Sequence, residues 1–382
     1  MKKRKIAYVT ATRAEYGLML PILQNIQKDP QLKLELYYTG MHLMPEYGQT
    51  ASMVQKSFPD ARRIDVRFES DDETAVTRFM AELIKKITIE FTRDRPDFVL
   101  TIGDRPEVLS LALVSLYLGI PSCHIHGGDK TATVDEIVRH AITKLSHFHF
   151  PATKEAAKRI ERMGEEKWRI QVIGAPALDV ITHQKLMTKD EVYSMLKFDD
   201  NQPFILLLQH PTSEEIEKAG WQMEQTIDAI KSCKLPTAVI YPNADPGNKA
   251  IIEVIEREKK NPLFRIYKNL EYTVFLSLEK HAAVWVGNSS ASMIESGSFK
   301  TPVVNIGTRQ SGRLHGANVI HVDHSEQSIM KAMHQALYDE EYLKKIKNMK
   351  NPWGDGKAGQ RIMKTLKSLP LGKKLLKKQI SY

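Results

Sequence analysis

Short apolar runs rich in β-branched residues alternate with segments of helical spacing along almost the whole chain. Lys5–Ala11, Leu32–Thr39, Phe98–Ile102 and Ser122–Ile125 read as buried strands, each followed by a turn and a helix-like stretch. Ile170–Ile173 reads as a further strand. A polar stretch through Lys189, Asp190, Asp199, Asp200 and Asn201 then breaks the rhythm, which restarts with Phe204–Leu208, Thr237–Tyr241, Phe264–Tyr267, Ala282–Val286 and Val303–Ile306. Two successive runs of strand–helix units predict an α/β chain of two Rossmann-like doubly wound domains, over residues 1–180 and 181–350, with a cleft between them. A basic tail over 351–382 is expected to be helical and to pack back on the first domain.

Composition agrees with this picture. The chain has 382 residues, 42% of them hydrophobic and 26% charged, enough for two domains and unlike a disordered segment. Its two cysteines, Cys123 and Cys233, form no disulfide framework and suit a reducing compartment. The longest apolar run, Val108 to Ile120, falls short of the roughly 20 residues that span a bilayer. Met1 to Lys5 runs into an apolar stretch that ends at Thr10, Thr12 and Arg13, so no secretory leader is expected and a cytoplasmic protein is.

The formal charge of +9 raises the question of a polyanionic partner, and its location answers it. Twelve Lys and Arg against the single acid Asp355 lie between Lys344 and Tyr382, and Lys2 to Lys5 add four more positive charges, which leaves residues 6–343 at −6. The surplus belongs to the ends of the chain, and neither nucleic acid nor membrane is expected as a partner. Leu366, Leu369, Leu371, Leu375 and Leu376 give the tail one apolar face.

In doubly wound sheets ligands bind beyond the carboxyl ends of the strands. Those ends carry Thr10 to Arg13, Thr39 to His42, Gly103 to Arg105, His124 to Asp129, Gln209 to Pro211, Tyr241 to Asp245 and Gly287 to Ser290. Such a concentration of polar and charged residues behind apolar strands is costly unless it serves a site. No Gly-x-Gly-x-x-Gly follows the first strand and Gly-x-x-x-x-Gly-Lys-Ser/Thr is absent, which argues against dinucleotide enzymes and P-loop phosphotransferases. Ser289 and Ser290 at a helix start suit a diphosphate, or an ordinary cap. Arg13 is placed to face an anion with its bidentate fork, and Glu295, further into the same helix, suits ribose hydroxyls or a solvated face. Asp104, His126 and Asp135 are the catalytic candidates. Asp135 and Arg139 share a helix face and can pair. His124, His126 and Asp129 do not complete a recognised metal-ligand spacing, so no metal site is predicted. His147 and His149 form a second alternating pair that suits core or cap positions.

These motifs together resemble the hydrolysing UDP-N-acetylglucosamine 2-epimerases of sialic and legionaminic acid biosynthesis. The resemblance runs through Thr-Arg-Ala-Glu-Tyr-Gly (12–17), Gly-Met-His-Leu (40–43), Gly-Asp-Arg-Pro-Glu (103–107), His-Ile-His-Gly-Gly-Asp (124–129) and the stretch 133–147. It continues through His-Pro (210–211), Tyr-Pro-Asn-Ala-Asp-Pro-Gly (241–247), Gly-Asn-Ser-Ser (287–290) and Gly-Thr-Arg-Gln-Ser-Gly-Arg (307–313). It implies a glycosyltransferase-B-like fold, a UDP-sugar substrate, no metal or other cofactor, and a homodimer or dimer of dimers. It also implies elimination of UDP through a 2-acetamidoglucal, followed by addition of water to release free N-acetylmannosamine or an analogue. Asp104, His126 and Asp135 become the proton-transfer groups, oriented by Arg105 and Arg139. Arg13, His42, His124, His210, Asn243, Ser289, Ser290, Glu295 and Arg309 become the UDP-sugar ligands. The resemblance departs at His126 and Asp129, where it leads one to expect glutamates. A non-hydrolysing 2-epimerase and a glycosyltransferase of the same architecture are the alternatives.

Overall fold

The computed structural model describes residues 3–45, 50–69, 73–131, 134–243 and 246–382. It divides into two compact units, one formed by the chain up to Lys130 with Val134–Val180 and Gly354–Tyr382, the other by Ile181–Trp353.

The first unit is built on β1 (Arg4–Thr10), β2 (Leu32–Tyr38), β3 (Arg62–Arg63), β4 (Phe98–Ile102), β5 (Ser122–Ile125) and β6 (Phe148–Phe150), in the order β3-β2-β1-β4-β5-β6. Neighbouring strands of this sheet pair in parallel. Both faces of β1 are buried: Ile6 and Tyr8 join one core with the helices Arg13–Lys28 and Ala358–Ser368, and Ala7 and Val9 join another with Glu73–Arg93 and Pro106–Tyr117. That two-sided burial is why the strands read as continuous apolar runs, since a sheet covered by helices on both faces has no solvent side. The second unit repeats the plan with β7 (Ile205–Leu208), β8 (Thr237–Ile240), β9 (Phe264–Tyr267), β10 (Val284–Gly287), β11 (Val303–Ile306) and β12 (Val319–Val322), ordered β12-β11-β10-β7-β8-β9. Both units are Rossmann-like and doubly wound, the architecture of the glycosyltransferase-B-like class.

Three sequence expectations need correction. Ile170–Ile173 forms only an isolated bridge, His149 to Ile170, because Phe148–Phe150 takes the edge position instead. β3 and β12 went unread. The polar break holds a helix, Lys189–Leu196, started by a reciprocal capping box between Thr188 and Glu191 and anchored by buried Val192, Tyr193 and Leu196.

The basic tail folds on the first unit. Ala358, Ile362, Met363, Leu366, Leu369 and Leu375 join its core, whereas Leu371 is exposed. Asp179 accepts from the backbone N–H groups of Ala358 (2.8 Å) and Gly359 (2.6 Å), satisfying two donors that a helix start leaves open. At the other end Arg4 donates to the carbonyls of Leu366 (2.9 Å) and Leu369 (2.7 Å). Fully buried Arg169 then holds the carbonyls of Leu375 (2.7 Å) and Lys377 (2.6 Å).

Candidate active site

The strand orders put the reversal of winding between β1 and β4 in the first unit and between β7 and β10 in the second. Beyond the carboxyl ends at such reversals lies the crevice where doubly wound sheets bind ligands. Thr10 to Arg13 and Gly103 to Arg105 occupy that place in the first unit, and Gln209 to Pro211 and Asn288 to Ser290 in the second.

In the first unit four of the polar residues converge. Arg139 is buried on the helix Val134–Leu145, pairs with the Asp104 carboxylate and donates to the carbonyl of Asp129 at 2.9 Å. His126 Nδ1 lies 2.9 Å from Asp129 Oδ2. One guanidinium therefore ties the end of β4 to the turn after β5, and the carboxylate it holds is only partly buried and accessible to a substrate. His126 sits at φ +63, a left-handed conformation that costs an ordinary L-residue about 1 kcal/mol. The next turn is equally constrained: at Gly128 (φ +76) a Cβ would lie 2.4 Å from the Ala156 carbonyl oxygen, so only glycine lets this loop approach so closely. Asp135 is exposed in the first turn of the same helix as Arg139.

Arg105 donates from Nε to buried Glu107 at 2.6 Å, a partner that the sequence reading passed over although it stands in Gly-Asp-Arg-Pro-Glu. Arg13 opens the helix Arg13–Lys28, whose capping box joins Thr12 and Glu15. Glu15 also accepts from Tyr8 Oη at 2.5 Å and from the backbone N–H of Ala11 at 3.2 Å, so it braces the turn that presents Arg13. Burial pushes the Glu15 carboxyl up to about 7. The Thr12-x-x-Glu15 spacing was the legible signal for this brace.

His42 and His124, expected among the substrate ligands, are both fully buried and brace the strand ends. His42 bonds Thr10 Oγ1 (2.9 Å) and Thr50 Oγ1 (2.7 Å), and His124 bonds the Gly103 carbonyl (2.7 Å) and Thr143 Oγ1 (3.2 Å). With both ring nitrogens occupied and burial pushing them down to about 4 and about 3, they are neutral spacers under the strand ends.

The second unit gathers its own cluster. Asn288 accepts from the His210 N–H (2.7 Å) and donates to the His210 carbonyl (2.9 Å), locking the end of β10 to that of β7. Its own carbonyl takes bonds from Arg309 Nη1 (3.2 Å) and Gln310 Nε2 (3.1 Å). Gly287, at φ +134, is required here, because a Cβ would lie 1.9 Å from the Leu208 carbonyl oxygen. His210 Nδ1 accepts from the Asn243 N–H at 3.2 Å. Burial, helped by the Arg309 charge, holds this imidazole well below its ordinary range, so it is neutral and carries its proton on Nε2 as a donor. Asn243 itself is exposed. The helix expected after Ser289 is shorter than anticipated. Ser290–Ile294 ends at Glu295 and a second turn, Ser296–Phe299, follows, so Glu295 stands at the break between two short helices. Asn288, Gln310 and Glu107 stand within motifs that the sequence singles out, yet their bracing roles were not expected. Asp245, at the end of the β8 motif, lies outside the described residues.

Among the described residues no cluster of metal-ligating side chains is present, and no helix is long and apolar enough to cross a membrane.

Comparison with known proteins places this geometry. The family model described as UDP-N-acetylglucosamine 2-epimerase matches residues 24–367. A UDP-N,N'-diacetylbacillosamine 2-epimerase (hydrolyzing) of Legionella pneumophila is 37% identical over 380 residues, 99% of this chain and 100% of the relative. A GDP/UDP-N,N'-diacetylbacillosamine 2-epimerase (hydrolyzing) of Campylobacter jejuni is 33% identical, covering 84% of each. The crystal structure of UDP-GlcNAc 2-epimerase from Neisseria meningitidis bound to UDP-GlcNAc superposes with a TM-score of 0.79 at 21% identity, over 95% of this chain and 99% of that one, a likeness of fold. The chain belongs to the UDP-N-acetylglucosamine 2-epimerase family.

Proposed function

We propose that the protein is a hydrolysing 2-epimerase that converts a UDP-2-acetamido sugar and water into UDP and the free sugar with C2 inverted. The observation that carries the reading is the convergence of Asp104, Arg139, Asp129 and His126 beyond β4 and β5, in a chain two of whose relatives, at 37% and 33% identity, are named as hydrolysing. In the first step a base removes the C2 proton and the electron pair forms the C1–C2 double bond as the C1–oxygen bond to UDP breaks, leaving a 2-acetamidoglucal. In the second, water supplies hydroxide to C1 and a proton returns to C2 on the opposite face. Asp104, with Asp135, serves as carboxylate for these transfers, and Arg139 pairs with Asp104 and orients it. His126, paired with Asp129, serves as a further proton carrier. Arg13, Arg309, Ser289 and Ser290 offset the charge that develops on the departing diphosphate, and His210 offers its Nε2–H to the nucleotide. No step needs a cofactor.

A UDP-2,4-diacetamido sugar is the first substrate to try, since two of the similar relatives are named for diacetylbacillosamine, and UDP-N-acetylglucosamine is the second. Incubation with each in deuterated water, followed by proton NMR, tests the proposal. Release of UDP with a free 2-epimeric sugar deuterated at C2 is expected. A product still joined to UDP would instead identify a non-hydrolysing epimerase.

A further inference from the structure

The helix Tyr272–His281 buries a residue that apolar spacing does not explain. Glu279 is 0% exposed, and its carboxyl faces that of Glu295, 3% exposed. Tyr272 Oη, from the same helix as Glu279, donates to Glu295 Oε1 at 2.8 Å. Apart from this mutual contact, neither oxygen of Glu279 nor Oε2 of Glu295 has a hydrogen-bond partner among the described residues. Two carboxylates in contact away from water do not both ionise. One proton is therefore held between them, and the Glu295 carboxylate, which accepts from Tyr272 and from that proton, keeps further lone pairs that no described residue fills. Glu295 follows directly on Ser290–Ile294, the segment that leaves β10 through Asn288 and Ser289.

We propose that Glu279 is a positioning residue for nucleotide recognition: it keeps the shared proton, donates it to Glu295, and so holds the Glu295 carboxylate ready to accept the ribose hydroxyls of the nucleotide. The inference rests on the UDP-sugar reading above. Burial and then the Glu295 charge raise the Glu279 carboxyl well above its ordinary range, which keeps the proton on that side. Burial also raises Glu295, and the donors Tyr272 and Glu279 work against that rise. The other ionisable groups nearby point elsewhere: on the packed helix Lys189–Leu196, Tyr193 Oη donates to the Gln202 carbonyl and Asp190 and Glu191 are exposed, while on the same helix as Glu279, His281 bonds the Met187 carbonyl and Lys280 is exposed.

Calorimetric titration of UDP into the wild type, Glu279→Gln and Glu279→Leu between pH 5.5 and 9 tests this, with Glu279→Met as the apolar replacement should the leucine variant fail to fold. Without a donor at 279 the Glu295 carboxyl loses one of the bonds that oppose its rise and is less ionised at neutral pH, so the apolar variant is expected to bind UDP at least about fivefold more weakly at pH 7 and to recover as the pH is raised. Glutamine restores a donor, and its affinity and pH profile should return to within about threefold of the wild type. An apolar variant with the wild-type affinity and an unmoved pH profile overturns the proposal. Absence of saturable UDP binding to the wild type overturns the UDP-sugar reading and this inference with it, and so separates the two failures.

Discussion

Replacing Glu165 by glutamine puts the buried ion cluster of the first unit to a quantitative test. The Glu165 carboxyl is 0% exposed and meets Lys144 Nζ at 2.6 Å, His149 Nε2 at 3.0 Å and Lys378 Nζ at 3.1 Å. Burial by itself raises this carboxyl, but the donated bonds of His149 and Lys144 and the charge of Lys378 outweigh it and hold it at about 2, against an ordinary 4.5. A lowered carboxylate contributes stability that is present above about pH 4.5 and is lost as the pH falls through about 2. At neutral pH that contribution is about 3 kcal/mol, and at pH 3 it shrinks to about 1 kcal/mol. The glutamine variant keeps the shape and leaves the ammonium groups without their anion, so it should lose about 3 kcal/mol in the first unit, a fall in midpoint of about 6–12 °C. Lys378 also donates to the carbonyls of Ser146 (2.7 Å) and Lys144, at the end of the helix that carries Arg139, so the tail and that helix should loosen together. Thermal denaturation at pH 7 and pH 3 reads the energy, and hydrogen exchange over 134–145 and 284–287 reads the two units separately. A loss below about 1 kcal/mol, or one equally large at both pH values, would refute the linkage argument.

Gly287→Ala should destabilise the second unit by at least about 2 kcal/mol, because the new Cβ collides with the Leu208 carbonyl oxygen at 1.9 Å in a backbone conformation at φ +134. A midpoint within 1 °C of the wild type would show that the strand ends separate freely. Asp104→Asn should reduce turnover by about 10²-fold or more with the first unit still folded, since Arg139 retains its bond to the Asp129 carbonyl. Turnover near that of the wild type would remove Asp104 from the proton-transfer role.

Strands with both faces buried, such as β1 and β7, were legible as unbroken apolar runs. Of the four edge strands only β9 was. β3 is two arginines, β6 is a Phe-His-Phe triplet, and β12 is only half buried, so none has the run of apolar residues that a central strand requires. The candidate site was legible as far as it consists of residues just after strands, where Asp104, His126, His210 and Asn243 stand. Burial of charge was not, because a glutamate on a helix reads as a solvated face whether it is exposed, like Glu191, or sealed in, like Glu107 and Glu279, while Glu165, just after the helix Lys154–Arg162, reads as a loop residue. Backbone conformation was equally hidden at His126, whose φ of +63 follows from the turn that the fold imposes after β5. That conformation allows stability and chemistry to be separated in one pair of variants. Alanine at 126 keeps the left-handed strain and removes the imidazole, whereas glycine removes both. His126→Gly should therefore be about 1 kcal/mol more stable than His126→Ala, while both lose turnover by about 10²-fold and bind UDP as the wild type does. Equal stability of the two variants would show that the turn relaxes around residue 126, and undiminished turnover in both would show that the imidazole carries no proton in the reaction.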